Sequence, residues 1–469
     1  MKPLILSAVL ILSVAAPAIT PAWAAEVTTI ESSVNAEPAE RFLDIRSVTS
    51  DGGITAWFLE DHSVPAIAIE FAFAGAGASL DPQDKQGLAR LASNTLDEGA
   101  ADMDSQAFQK TLTDNSISLR FDVGRDDFFS SLKSLTRHRD LATDLMAKAL
   151  TSPRFDQDPI DRMKAANISR IKSQLSDPDW IAARIMNDVA FAGHPYAMNS
   201  GGTVSGFAAI TADDLRHFTT TSFARDNLLV AVAGDITEDE LKPLLDKMFG
   251  ALPEKSQIQT ISDLTIQGGN TITLFDKDVP QTSIQMMQGG IDRSDPDYHA
   301  AQVMNFILGS SGFGSRLTEE IREKRGLTYG IYSSMYQLDH VKALSVSTST
   351  RNDKAGEVMG LIRTEWIKMR DEPVSADELK AAQDYLTGSM PLALTSTQGI
   401  AGLILGLRLD DLPIDYLDGI TARYNAITAD DVARVSKRLL TPDAMTTVIV
   451  GKPEGITPTT TRTDLPNVE

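Results

Sequence analysis

Three residues on one predicted helix stand at positions where a metal site would need other side chains. The segment 87–100 is predicted to be helical up to Gly99, and it has the spacing of the inverted zinc motif H-x-x-E-H. The slots for the two His and the Glu hold Arg90, Ser93 and Asn94. Arginine stays protonated, and Ser and neutral Asn are poor zinc ligands beside His, Cys or carboxylate. The sequence therefore predicts a helix with the spacing of a zinc motif and without metal ligands.

Other residues offer no alternative local site for metal or nucleophilic chemistry. The chain has no cysteine, which excludes disulfides, thiol catalysis and Cys-based zinc sites. No two of its six histidines lie close enough for a His-x-x-x-His pair, although a site built from distant histidines stays open. The segment 309–313 departs from the serine-hydrolase pattern G-x-S-x-G at its last position, and the same loop lacks the G-x-G-x-x-G spacing of a phosphate cradle.

An internal repeat organises the predicted elements. Residues 209–215 (Ala-Ile-Thr-Ala-Asp-Asp-Leu) recur as residues 426–432 (Ala-Ile-Thr-Ala-Asp-Asp-Val), 217 positions later. A Val-Pro pair before a strand also recurs, at 64–65 and at 279–280, with a spacing of 215. Each copy runs from strands through long helices to a further strand. This order favours two duplicated α+β domains, each a largely antiparallel sheet with helices packed on one face.

Composition divides the chain into six segments. The N-terminus has Lys2, an apolar run and the small-x-small site Ala22-Trp23-Ala24, which is typical of a secretory signal peptide cleaved after Ala24. A membrane anchor is the less favoured interpretation, because the run is too short to span a bilayer comfortably. The predicted segments are a signal peptide (1–24), a polar lead-in (25–40), an N-terminal domain (41–250), a linker (251–270), a C-terminal domain (271–453) and a flexible tail (454–469).

Net charge and the export signal limit the kinds of partner that the chain can bind and predict its cellular compartment. The 469-residue chain has a globular composition, with 42% hydrophobic residues, and a formal charge of −21. So acidic a chain has no general basic field for nucleic acid, and its acidity favours solubility over a dedicated partner for acidic proteins. The signal peptide and the lack of another long apolar run predict a free periplasmic protein that is not held in a membrane.

Four segments together resemble the pitrilysin/insulinase family of zinc metallopeptidases, in its bacterial two-domain form related to mitochondrial processing peptidase. The resemblance covers nearly all of the chain after the signal peptide, and it implies a half-clamshell built from the two duplicated domains. The four segments are the helix that begins Gly87-Leu88-Ala89 and ends Glu98-Gly99, the phrase Ala192-Gly193-His194-Pro195-Tyr196, the loop Leu308–Leu317 and the phrase Ile321–Ser333, which is the most specific.

The resemblance gives a role to an Arg and a Tyr that stand seven residues apart in the last phrase. In the family these two side chains hold the substrate backbone near the scissile bond, which implies that catalytic role for Arg322 and Tyr329. A guanidinium pairs with carbonyl oxygens, and a Tyr hydroxyl donates to a developing oxyanion. The preceding loop, with Gly312, Phe313 and Gly314, is predicted to contact peptide, with a plain helix-start loop as the alternative.

The family's zinc chemistry is missing from this chain. A third ligand, a distal Glu, is expected within residues 161–173, and that window contains no Glu. The resemblance therefore implies a zinc-less, substrate-binding subunit of a heteromeric peptidase, with no cofactor of its own. Its partner would be a sibling with zinc on an intact H-x-x-E-H motif, and the two would act on peptide substrates. A scaffold protein without a role in proteolysis is the alternative, and a self-sufficient metallopeptidase with relocated ligands is the least favoured.

Overall fold

Two six-stranded sheets, one in each half of the chain, form the frame of the computed structural model, which describes residues 41–311 and 314–469. The predicted signal peptide and lead-in, and the predicted substrate residues Gly312 and Phe313, lie outside the described residues. The strands are β1 (Arg46–Thr49), β2 (Thr55–Glu60), β3 (Ala66–Phe73), β4 (Ser118–Val123), β5 (Phe128–Leu135), β6 (Leu228–Gly234), β7 (Thr271–Asp276), β8 (Gln281–Gly289), β9 (Thr328–Leu338), β10 (Val341–Arg351), β11 (Thr446–Gly451) and β12 (Thr460–Arg462).

The two sheets share one strand arrangement. The first sheet has the order β1-β2-β6-β3-β5-β4, and the second has the order β12-β7-β11-β8-β10-β9. Neighbouring strands are antiparallel except for the pair β2–β6 in the first sheet and the pairs β7–β11 and β7–β12 in the second. Five consecutive strands correspond, β2-β6-β3-β5-β4 to β7-β11-β8-β10-β9. The α+β class and the duplication are confirmed.

Several α-helices begin at capping boxes that the sequence pattern predicts. The repeated pair is present in both copies, as Thr211 with Asp214 and as Thr428 with Asp431, and each pair satisfies two backbone N–H groups at a helix start. The helices are α1 (Leu88–Ser93), α2 (Ser105–Asp114), α3 (Arg139–Thr151), α4 (Gln157–Gln174), α5 (Pro178–Ala190), α6 (Val204–Ala209), α7 (Ala212–Ser222), α8 (Glu238–Phe249), α9 (Tyr298–Asn305), α10 (Ala355–Asp371), α11 (Ala376–Gly388), α12 (Thr397–Leu409), α13 (Ile420–Asn425) and α14 (Ala429–Leu439).

A helix needs about 20 mostly apolar residues to span a bilayer, and the described ranges contain helices of up to 18 residues. Within them, no single helix has both the length and the apolar composition to cross a bilayer. The segments Ala376–Leu394 and Thr397–Leu409 meet those two criteria only when they are joined across a bend of 119°.

Each sheet packs helices of its own half against one face. In the N-terminal half, Phe73 of β3 stacks on Phe223 with ring centroids 4.3 Å apart, inside a large buried cluster. In the C-terminal half, Trp366 of α10 is fully buried and donates its indole N–H to Gln288 of β8 at 3.2 Å. Burial of apolar surface is worth about 25 cal/mol per Å², so these two faces are the main source of stability.

One helix from each half also packs against the sheet of the other half, on the face that the other half's own helices leave uncovered. Helix α5, from the N-terminal half, packs against β8 and β11, where Ile181 and Ile185 share a buried cluster with Val448. Helix α12, from the C-terminal half, packs against β3 and β6, where Ile404 shares a buried cluster with Ala68. The prediction that helices pack on one face of each sheet therefore holds only for the helices of the same half. The second face of each sheet is covered by the helix that comes from the other half. The sequence shows that such a helix is apolar but not which sheet it covers.

The C-terminal residues, predicted to form a flexible tail, contact both halves. Strand β12 pairs with β7, and Arg462 Nη1 lies 3.1 Å from Asp188 Oδ2 of α5. Farther along, Val468 is buried in the N-terminal core, and its carbonyl accepts a hydrogen bond from Val204 N–H at 2.6 Å. This differs from the predicted flexible tail. The Thr and Pro residues of the tail argue against a helix, but they do not show that the tail can pair with the edge of a sheet or insert a side chain into the N-terminal core. The predicted domain and linker boundaries stay predictions.

A buried polar joint connects the halves at the Gly-His-Pro-Tyr phrase. The hydroxyl of the fully buried Tyr196 donates to Asp126 and accepts from the backbone N–H of His340 at 3.2 Å. His194 Nδ1 accepts from the Tyr196 N–H at 3.1 Å, and its Nε2 lies 2.8 Å from the Ser262 carbonyl oxygen. These contacts agree with the interpretation of this histidine as a structural hydrogen-bonding residue.

Aspartates from both halves crowd this joint. Burial, followed by the charge of Asp339, raises the pKa of Asp127 to about 7, although its carboxylate accepts the Gly75 N–H at 3.0 Å. Burial is also the main cause that raises the pKa of Asp339 and the pKa of Asp410 above their usual range. The folded chain therefore holds protons at this joint that the unfolded chain has already released at the same pH.

Cutting the linker should not separate the halves. We expect a chain cleaved at a protease site inserted between Glu254 and Lys255 to remain one particle, because α5 and α12 each stay buried on the opposite sheet. Size-exclusion chromatography of the cut chain, with and without denaturant, measures this. The two fragments should elute together in buffer and apart in denaturant. Separate elution in buffer would show that the exchanged helices do not hold the halves together.

The joint should make the stability of the fold fall as pH rises. Because the pKa of Asp127 is raised on folding, the folded state is favoured below its unfolded value near 4, and that advantage is lost between about pH 4 and pH 7. Asp127→Asn keeps the carbonyl acceptor and removes the charge, so it should be more stabilising at pH 8 than at pH 5, by on the order of a few kcal/mol. Urea unfolding at both pH values measures the difference. The exposed Asp102→Asn serves as the control, and equal effects of Asp127→Asn at both pH values would contradict the prediction.

Candidate functional site

A buried aspartate holds the start of α1, the helix with the degenerate zinc spacing. Asp81 accepts the backbone N–H groups of Gly87 at 2.7 Å and of Ala89 at 2.9 Å. Burial raises the pKa of Asp81 to about 7, and these N–H donors oppose the shift. Gly87 has a φ of 106°, and a Cβ there would come within 2.7 Å of the Phe207 ring. Glycine is required at this turn, which fixes the direction in which α1 leaves the loop.

The three zinc-motif positions form protein contacts that do not suit a metal. Arg90 donates Nη1 to Asp122 Oδ1 at 2.7 Å and Nη2 to the Val123 carbonyl at 3.0 Å, which ties α1 to β4. Ser93 is buried, and its hydroxyl donates back to the carbonyl of Arg90 at 2.9 Å. Asn94, at the end of α1, accepts a hydrogen bond through Oδ1. A guanidinium, a hydroxyl that donates and an amide have replaced the expected ligands.

The donor to Asn94 is Asn167 of α4, which sequence reasoning did not single out. Its Nδ2 donates to Asn94 Oδ1 at 2.9 Å and to the Met163 carbonyl at 2.9 Å. Asn167 lies inside the window 161–173 in which the distal Glu was expected. Within that window, the residue that contacts the end of α1 is an amide and not a carboxylate. An amide hydrogen bond therefore joins α1 to α4.

These residues line a cavity of about 420 Å³. Its lining offers two guanidiniums and two amides as polar groups, and it contains no carboxylate or imidazole. Zinc needs neutral imidazole, thiolate or carboxylate ligands, so this set does not fit zinc. No group of three or more His, Cys, Asp or Glu suited to a metal ion occurs anywhere in the described ranges. The lining residues are Arg90, Asn94, Met163, Ala166, Asn167 and Arg170.

The predicted Arg–Tyr pair lies together in the C-terminal half. Arg322 is in a π-helical segment, Thr318–Glu323, and its guanidinium carbon lies 5.3 Å from the centroid of the Tyr329 ring. The chain reverses between them at Gly326, which has a φ of 61° and donates its N–H to the Arg322 carbonyl at 2.8 Å. The turn brings the cation over the ring face, an arrangement that cation–π attraction favours.

Tyr329 projects from the edge of the second sheet. It lies near the start of β9, the last strand on that side, and it is 89% exposed. Beside it is a cavity of about 360 Å³, and Gly314, the described member of the predicted substrate loop, is not in its lining. The lining is mainly hydroxyl and amide side chains, and it shares no residue with the cavity at α1. The lining residues are Asp179, Gln281, Ser283, Gln285, Thr328, Tyr329, Gly330, Tyr332, Ser347, Thr348 and Ser349.

Comparison with known families gives a match to the middle of the chain, from the end of the N-terminal half into the C-terminal half. The profile described as "Peptidase M16 inactive domain" matches residues 209–386, which include the Arg–Tyr pair. Among curated proteins, the "Non-peptidase homolog YmxG" of Helicobacter pylori is 29% identical over 338 residues, covering 71% of this chain and 77% of that protein. The "Uncharacterized zinc protease YmxG" of Bacillus subtilis is 21% identical over 405 residues, covering 85% of this chain and 96% of that protein.

A solved structure agrees with these sequence matches over nearly the whole described chain. The crystal structure of a peptidase M16 inactive domain from Pseudomonas fluorescens superposes with a TM-score of 0.82 and 27% identity. The alignment covers 89% of this chain and 100% of that chain. Both sheets and both sets of helices therefore belong to one known architecture.

The purified chain should retain no stoichiometric zinc, because its four motif positions offer a guanidinium, a hydroxyl and two amides. Metal analysis after purification without chelator and dialysis measures this. As a matched variant, the combined change Arg90→His, Ser93→Glu, Asn94→His and Asn167→Glu should gain about one zinc per chain, since it restores three ligands on the same two helices. One tightly held zinc in the unmodified chain would overturn the interpretation of the site.

Proposed function

Because the chain belongs to the M16 (pitrilysin/insulinase) family as an inactive member without zinc ligands, we propose that it is a substrate-binding subunit of a heteromeric zinc metallopeptidase. In this proposal the chain supplies Arg322 and Tyr329 to a peptide-hydrolysing site, and a sibling subunit with an intact H-x-x-E-H motif carries the zinc. The assembly is periplasmic in this proposal, which the predicted signal peptide supports. The substrates are peptides in an extended conformation.

The observation that carries the proposal is the exposure of Tyr329. Tyrosines that serve packing in this chain are buried, as are Tyr196, Tyr298 and Tyr424. Tyr329 instead keeps its hydroxyl and ring in solvent while Arg322 lies over the ring face. Tyr332 and Tyr385 are also exposed, at 52% and 58%, but Tyr329 is the most exposed of the three and has the Arg322 guanidinium over its ring, a combination that supports recognition of a ligand or partner.

The surroundings of Tyr329 suit a peptide backbone. Strand β9 pairs on one side with β10 and ends the second sheet, and an edge strand can add an extended peptide through main-chain hydrogen bonds. The adjacent cavity offers hydroxyl groups from Thr328, Ser347 and Ser349 and an amide from Gln285. Such groups pair with peptide N–H and C=O without selecting a particular side chain. This supports broad recognition of unfolded segments over a narrow sequence preference.

The degenerate site explains why a partner is needed. A guanidinium cannot activate water as a metal ion does, since it has no open coordination position and does not lose its proton. The chain keeps groups that hold a peptide and stabilise charge and lacks the group that makes the nucleophile. A zinc-bearing subunit that faces the Arg–Tyr pair completes the set.

Removal of one hydroxyl should slow the complex without dissociating it. As water attacks a peptide carbonyl, its oxygen becomes anionic, and a hydroxyl donor stabilises that state more than the substrate. Tyr329→Phe in a complex with the zinc-bearing sibling should therefore lower kcat about 100-fold to 1000-fold. Arg322→Ala should lower turnover and also weaken peptide binding, because the guanidinium is lost together with its contact to the ring.

Hydrolysis of an unstructured peptide at matched complex concentration measures both effects. Tyr385→Phe is the control, since Tyr385 is an exposed tyrosine on α11 that lies outside the lining of the Tyr329 cavity. It should leave the rate unchanged. If both the Tyr329 and the Arg322 variants assemble with the sibling and cleave at the parent rate, the Arg–Tyr assignment is wrong and the scaffold role takes its place.

A further inference from the structure

The cavity between α1 and α4 concentrates positive charge in a strongly acidic chain. Two of its lining residues, Arg90 and Arg170, are guanidiniums, and the other polar lining residues are the neutral amides of Asn94 and Asn167. The chain has a formal net charge of −21. A cavity without a carboxylate and with two cations is therefore an exception on this protein.

Arg170 has only neutral hydrogen-bond acceptors. It donates Nη2 to the Gly201 carbonyl at 2.8 Å and to Asn167 Oδ1 at 3.3 Å, and Nη1 to Gln174 Oε1 at 3.3 Å. Within the described residues, none of the ion pairs includes Arg170, whereas Arg90 and Arg162 each face a carboxylate. Burial, followed by the charge of Arg90, lowers the pKa of Arg170. The group nevertheless stays charged at neutral pH, since a guanidinium starts far above it.

A rigid turn holds Arg170 in place. Asn199 donates Nδ2 to the Gly202 carbonyl at 2.7 Å and accepts the Gly201 N–H at 3.0 Å. A Cβ on Gly201 would lie 3.3 Å from one guanidinium nitrogen of Arg170 and 3.4 Å from another. The hydrogen bonds of Arg170 to Gly201, Asn167 and Gln174 hold the guanidinium, and a donor that is already held loses less entropy when it binds a ligand.

We propose that this cavity binds the carboxylate of a peptide, at the position where the family's peptidases hold zinc. The planar guanidinium fork matches a carboxylate, and Arg170 supplies a cation that forms no ion pair with an acid of the described residues. Asn94 already accepts through its oxygen, so its amide nitrogen is a further donor beside the anion. Met163 and Ala166 add an apolar wall against which a peptide side chain packs. That wall gives a peptide an advantage over an inorganic anion.

The carboxylate can come from a peptide C-terminus or from an Asp or Glu side chain, and the test distinguishes these sources. Three probes are titrated calorimetrically into the purified chain without a partner subunit. They are acetyl-tetra-alanine with a free carboxylate, its C-terminal amide, and acetyl-Ala-Glu-Ala-Ala amide. At least one carboxylate probe should bind about 10-fold to 100-fold more tightly than the neutral amide, which is the usual effect of a charge-assisted hydrogen bond. The tighter of the two identifies the source.

Variants assign the effect to the cavity. Arg170→Gln removes the charge and keeps a hydrogen-bonding amide. It should therefore lower the affinity for the carboxylate probe to the affinity measured for the neutral amide probe. Arg170→Lys keeps the charge and should retain part of the preference. Arg137→Gln removes an exposed arginine outside the cavity and should change nothing. Thermal unfolding confirms that each variant is folded.

Three results would overturn the proposal. They are equal binding of the carboxylate and amide probes, no binding of any carboxylate probe, and an unchanged preference in Arg170→Gln. Sodium sulfate titrated in the same way is the remaining arm. Sulfate binding without peptide-carboxylate binding would show an inorganic-anion site and would also overturn it. Because the isolated chain is used, the outcome is independent of the proposed subunit role.

Discussion

Each sheet of this protein has apolar side chains on both faces, and a helix from the other half of the chain packs against one of those faces. The exchanged helices are α5 and α12. Other features of the fold follow from this exchange. Because α5 lies on the second sheet, the turn after it carries His194 and Tyr196 to the joint between the halves, where their hydrogen bonds reach Ser262 and Asp126. The last residues of the chain then follow α5 back to the N-terminal core.

Hydrogen bonds among neighbouring side chains explain how α1, which has the spacing of a zinc motif but not its ligands, is held in place without zinc. In a metal site the ion joins the ligands, and removal of the ion leaves buried polar groups without partners. Here the replacements satisfy one another, since Asn94 accepts from Asn167 while Arg90 joins α1 to β4. Asp81 satisfies the N–H groups at the helix start. The contacts among these side chains therefore hold α1 against α4 and β4 without a metal ion.

What the sequence predicted well was local. The capping boxes at Thr211 and Thr428 depend on residues three positions apart, and the repeated phrases revealed the duplication of the sheets. The Arg322–Tyr329 pair was predicted from the family resemblance, and the turn at Gly326 brings the two side chains together. What the sequence did not show was tertiary. The helix exchange, the burial of Val468 and the choice of Asn167 as the partner of Asn94 depend on which surfaces meet, and no local pattern records that choice.

The two polar sites differ in a way that bears on how the chain could use peptides. At α1 the positive charges are recessed in a cavity and held by a rigid turn, so they suit a group that enters and stays. At β9 the aromatic ring stands in solvent on an open strand edge, so it suits a backbone that passes along the sheet. Neither site makes a nucleophile. In the proposed subunit role, the chain binds a peptide at one site and stabilises developing charge at the other, and this binding energy accelerates hydrolysis only where another subunit provides the attacking water.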